Sequence, residues 1–195
     1  MARRGWPPLR HLKTACGVFD LFRAESILLR SYWVLVVMDV YTRRIVGFGV
    51  EAANLDGIRV CRNSGSLSVE RCLRVRCAIA WLNIRFHRWR ANLRVLEVDE
   101  IKTLPGTPRS HAFIERLIGT IRREFLDRAL FWGQGDLERK LKAWQAYYNQ
   151  HGCHAALAGL TPAQRSGAQP PATARLDSYR WRRHCYGLFQ TPAAA

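Results

Sequence analysis

At 195 residues the chain has room for one full domain and too little for two large ones. Against 15 Asp and Glu stand 31 Lys and Arg, a formal charge of +16 with a pI near 10.6, so a polyanionic partner is expected, nucleic acid ahead of an acidic membrane surface. A hydrophobic content of 48% with 7 Trp argues against a ribosomal type of RNA binder and for a globular chain.

The first elements are strands. "ACGVFDLFRAES" predicts a short apolar strand, and "SYWVLVVMDVYTRRIVGFGVEA" two more joined by a turn near Asp39 to Arg43, giving a three-strand meander. Residues 57 to 83 fit no clean period and bring three Cys, five Arg and one acid, Glu70, a composition foreign to both flanks. Next, "RFHRWRANL" predicts a short helix and "RVLEVDEI" a strand, before "KTLPGTPRSH" breaks the pattern. From the N-cap candidate Ser110, Ile114, Leu117, Ile118, Ile121 and Phe125 follow at helical spacing and predict one apolar stripe. A second helix is expected after the N-cap candidate Asp136, burying Leu137, Leu141, Trp144 and Tyr148 and ending near Gly152. The segment after it, rich in Pro, Ala and Arg, is expected to lie across the domain surface on the anchors Trp181, Leu188 and Phe189. Strands first and helices later predict a mixed α/β sheet flanked by helices.

Cysteines at 16, 61, 72, 77, 153 and 185 form no C-x-x-C pair and match no His spacing, so scattered reduced thiols are expected. The start "MARRGWPPLRHLK" has no apolar stretch after its basic residues, and no run approaches the length of a membrane span. A soluble, cytoplasmic and nucleoid-associated protein with no membrane partner is the expectation. Its parts would be a basic remnant at 1–15, a core domain at 16–165 containing the anomalous segment 57–83, and a basic tail at 166–195.

Two carboxylates draw attention. Asp20 shares a strand face with Val18 and Phe22, where an unpaired charge is costly, so it needs a cation or strong donors. Its bland reading is a sheet-edge Asp paired with an arginine. Glu115 borders the apolar stripe beside Gly119 and Arg122, and its bland reading is a first-turn acid complementing the helix dipole.

The runs "DLFRAES", "YWVLVVMDVYTRRIVGFGV", "FHRWRANLRVLEVDEI", "SHAFIERLIGTIRREFLD" and "AYYNQHGCHAAL" followed by "TPA" resemble the integrase core of bacterial insertion-sequence transposases, relatives of retroviral integrase. The resemblance covers roughly residues 16 to 60 and 84 to 190, in the right order. It implies a ribonuclease H-like fold, with an antiparallel three-strand meander plus parallel strands. It also implies an Asp, Asp, Glu set holding two Mg²⁺ or Mn²⁺ ions for DNA cleavage and strand transfer. Two hard cations about 3.5 to 4 Å apart need several oxygen ligands to activate a water or a 3′-hydroxyl and to stabilise the leaving oxygen.

Carried over, the catalytic and metal-binding positions are Asp20 and Glu115, while Asp39 reads as structural or turn-forming. Counted back from Glu115 by the family's spacing, the second Asp falls on Ile79, and no Asp occurs between Asp56 and Asp99. None of Asp56, Glu70, Asp99 and Glu100 has the spacing to replace it. The foreign composition of the segment suggests a shifted reading frame or a local rearrangement. Two more departures are Gly152 and Cys153 where the family commonly has an Arg before His154, and the lack of an N-terminal helix-turn-helix.

DNA contact is expected from Arg85, Arg88, Arg90 and Arg94, with Arg122, Arg123, Lys140 and Lys142, whose bland reading is a solvated basic surface. The implied protein is a transposase core, truncated and catalytically defective. Its alternative is a non-catalytic nucleic-acid-binding remnant, self-associating or assembling with intact relatives. A third expectation is a chain whose sheet is disrupted by the altered segment.

Overall fold

Alternating apolar residues build the first half of the sheet. The computed structural model describes residues 16–52, 77–80, 99–102 and 112–194, apart from 171, 173 and 176. Within it, β1 (Cys16–Glu25), β2 (Ser31–Asp39) and β3 (Ile45–Ala52) form the expected antiparallel meander. The register sets Val18 against Met38, Phe22 against Val34 and Ala24 against Tyr32, and all six are buried. This face, carrying every second residue of each strand, is the side on which the core lies.

The sheet continues on the other side of β1. β4 (Cys77–Ala80) pairs parallel with β1, and β5 (Asp99–Lys102) parallel with β4, giving the order β3-β2-β1-β4-β5. β4 comes from inside the anomalous segment, where the sequence gives no periodic signal. The strand position beside β1 is therefore filled. Of the strand expected in "RVLEVDEI", the residues before Asp99 lie outside the described part, as do the helix expected in "RFHRWRANL" and the N-cap candidate Ser110.

Helical periodicity places the second layer. α1 (Ala112–Thr120) runs on into a π-helical segment, Ile121–Leu126, and buries Ile114, Leu117, Ile121 and Phe125, with Ile118 packed partly against them. α2 (Gln134–His151) buries Leu137, Leu141, Trp144 and Tyr148, as the spacing predicts. Trp144 centres this layer, its ring 6.2 Å from Phe125, 6.4 Å from Phe48 and 5.0 Å from Tyr148. Truncating such a ring to Ala costs about 3 to 5 kcal/mol.

The start of α2 differs from the expectation. Its N-cap is Gly133, in extended conformation, and Asp136 stands inside the first turn. There the carboxylate accepts the Trp132 N–H at 3.1 Å and the Lys140 ammonium at 2.8 Å, so it satisfies an upstream donor from within the helix. The "TPA" motif is a helix start too. Thr161 caps α3 (Pro162–Arg165) in a reciprocal box with Gln164, with Pro162 where a missing N–H costs nothing.

The C-terminal segment is more regular than expected. β6 (Tyr179–His184) and β7 (Phe189–Ala194) form an antiparallel hairpin through a turn at Cys185–Gly187. Phe189 does anchor it, stacking at 4.3 Å on Tyr147 of α2, and Cys185 is buried in the core. Trp181 and Leu188 do not, being 57% and 38% exposed. Alternation explains this for Trp181, which shares a hairpin face with Tyr179 and Arg183, away from Phe189.

Candidate metal centre and nucleic-acid interface

Asp20 sits in β1, the middle strand and so not a sheet edge, one residue beyond the described pairing with β4. Its cross-strand partner is the fully buried Val36, so the half-buried carboxylate belongs to the face covered by the helices. One carboxylate oxygen accepts the Leu21 N–H at 2.8 Å.

Two contacts orient α1 along β1. Near its start, the Phe113 ring centroid lies 3.5 Å from the guanidinium carbon of Arg43, in the β2–β3 turn at the Gly17 end of β1. Beyond its end, Arg122 Nη2 donates to the Arg23 carbonyl at 3.4 Å. Glu115 is exposed and Asp20 half-buried.

Among its four described residues β4 holds no carboxylate. β4 reads Cys-Ala-Ile-Ala, and Ile79 stands in register with Val18, two rows from Asp20. Through β4, Asp99 and Glu100 of β5 stand in the rows of Cys16 and Gly17. Three or four rows from Asp20 is about 10 to 13 Å along the strands, with two strand spacings, about 10 Å, across them. Among the described residues, no three His, Cys, Asp or Glu side chains gather as a metal-binding group. Asp56 and Glu70 lie outside the described residues. Asp39 is committed to its turn, accepting the Tyr41 N–H at 2.9 Å and the Thr42 hydroxyl at 2.8 Å.

The basic residues divide. Arg122, Arg123 and Lys142 are exposed on α1's π-helical extension and α2. Lys140 is engaged, its ammonium 2.6 Å from the Leu130 carbonyl and 2.8 Å from Asp136, with a side chain only 17% exposed. Arg85, Arg88, Arg90 and Arg94 lie outside the described residues.

Sequence reasoning missed what the "YYN" run does. Asn149 is buried, accepts the Ile45 N–H at 2.9 Å and donates to the Ile45 carbonyl at 2.8 Å, binding α2 to the first residue of edge strand β3. Gln145 adds bonds to the carbonyls of Ile45 and Val46, at 3.1 and 2.8 Å. An Asn one residue after the buried Tyr148 was the available signal, since a buried amide demands partners. Gly152 is required where it stands, because a Cβ there would meet the Tyr148 carbonyl oxygen at 2.6 Å.

Residues 97–162 match the integrase core domain family. Among solved structures, a chain of the simian T-cell lymphotropic virus intasome aligns with TM-score 0.59 and 13% identity, covering 93% of this chain and 64% of that one. This protein thus spans about 64% of that relative's length. The HTLV-2 integrase catalytic core in complex with magnesium aligns with TM-score 0.55 and 13% identity, over 77% of this chain and 94% of its own. The catalytic domain of Mos1 transposase, solved with raltegravir and Mg, gives 0.51 and 12%, over 68% and 71%. Residues 97–162 thus carry integrase-core sequence, and the chain shares the fold of these integrase and transposase catalytic cores. In that shared fold, the meander is β1 to β3 and the parallel extension is β4 and β5. The search of curated proteins found no match. No described helix is long and apolar enough to cross a membrane.

Proposed function

We propose that this protein is a transposase-type integrase core that binds DNA and has lost strand cleavage and transfer. The integrase-core match and the likeness to integrase and transposase cores, among them cores solved with magnesium, support DNA processing as the parent activity. The observation that carries the reading is β4, whose four residues hold no carboxylate beside the strand of Asp20. Asp20 and Glu115 alone give too few oxygen ligands to hold two divalent ions for in-line phosphoryl transfer. No catalytic step is assigned to them.

DNA binding needs no such set. The charge of +16, with Arg122, Arg123 and Lys142 exposed, suits a phosphate-contacting surface whose affinity falls with salt. HTLV-2 integrase core has been solved in dimeric and trimeric forms, and self-association or assembly with intact relatives belongs to the same reading. Fluorescence anisotropy on duplex DNA tests it. Binding should weaken steeply as salt rises and stay unchanged in EDTA and in Asp20→Asn. Absence of binding at low salt would sink it.

A further inference from the structure

Alternation divides the C-terminal hairpin into two faces. His184, Phe189 and Thr191 lie towards α2, where the His184 ring is 4.5 Å from His151 and 5.4 Å from Tyr147. The opposite face carries Tyr179, Trp181 and Arg183, in register with Ala194, Pro192 and Gln190, and all six are exposed.

That outward face is both aromatic and cationic. Tyr179 is 42% and Trp181 57% exposed, yet their rings are already set edge to face, 5.4 Å apart at 89°. Arg183 shares that face, Arg180 and Arg182 of the same strand alternate onto the opposite one, and no ion pair among the described residues engages the three. The nearby acid Asp177 is taken by Arg175 at 3.1 Å. Leaving large rings in water forfeits their burial energy, and three unpaired arginines within four residues of one strand repel one another. Both are relieved by a ligand with negative charge and flat π-faces together. Single-stranded DNA offers both, whereas a duplex hides its base faces in the stack and an acidic peptide has no row of them.

We propose that the outward face of this hairpin is a single-stranded DNA platform, with bases stacking on Trp181 and Tyr179 and phosphate held by Arg183. The assignment is independent of the metal-site reading, because it uses no residue of the five-stranded sheet or α1.

Anisotropy of the full chain on labelled oligo(dT), and on a duplex of the same length, tests it. Trp181→Ala should weaken oligo(dT) binding about tenfold, in line with loss of one stacked base. Arg183→Gln should flatten the salt slope by about 0.7, the share of one phosphate on a single strand. Trp132→Ala, removing a 62% exposed Trp outside the hairpin, should leave binding unchanged. The Trp181 and Arg183 side chains face solvent, so unchanged melting curves will separate binding from folding. Wild-type oligo(dT) affinity in Trp181→Ala would overturn the proposal. So would equal losses on both DNAs, or tighter binding to anionic lipid vesicles than to oligo(dT).

Discussion

Asn149 lends its amide to the backbone of an edge strand, exchanging two hydrogen bonds with Ile45 across 104 positions of sequence. Asn149→Ala would leave the Ile45 N–H buried without that partner, and unfolding in urea should show a loss of about 2 to 3 kcal/mol. A second prediction rests on histidines. Burial lowers the pKa of His151, helped by His184 and Arg182, and lowers that of His154, helped by Arg43; His184 is lowered by burial and then Arg182. Folded values below the ordinary 6.5 mean that the unfolded chain binds protons first. Their stability contribution is thus complete above 6.5 and lost as pH falls through the folded values. The melting temperature should fall from about pH 6.5 to 5, and His151→Gln, which removes the like-charge neighbour of His184, should flatten that fall. A wild-type melting temperature independent of pH over this range would contradict the account.

At the scale of elements, legibility followed the strength of the periodic signal. The stripe from Ile114 to Phe125 and the face from Leu137 to Tyr148 could be read because each repeats at helical spacing and meets the same sheet face. The start of α2 was misread, because Asp136 has a capping residue's chemistry but uses it from the first turn. Its carboxyl is held below the usual range by the Lys140 hydrogen bond above all, against a smaller opposing effect of burial. Asp136→Ala should cost about 1 kcal/mol of stability, the scale of a lost cap, read from thermal unfolding. The hairpin was illegible for a different reason. "YRWRRH" puts Arg on both faces and aromatics on the outer one, so no apolar alternation marks it as strand. β4 escaped for lack of contrast, being four residues in a Cys- and Arg-rich run.

For the whole molecule, the mixed sheet flanked by helices was legible, and so was the direction of its charge. The pairing of β4 with β1 was not, since a parallel neighbour distant in sequence leaves no local trace. Of the candidate site, Asp20 and Glu115 were picked out by resemblance, but only the sheet register shows how β4 stands beside β1 and that Ile79 falls two rows from Asp20. The account's central claim is a DNA-binding integrase core without a complete two-metal site. Incubating the full chain with duplex DNA ends in Mg²⁺ or Mn²⁺, and resolving the strands on a denaturing gel, tests it most directly. The account predicts bound but uncut, unjoined DNA in either metal. Metal-dependent nicking or joining that disappears in Glu115→Ala would contradict it.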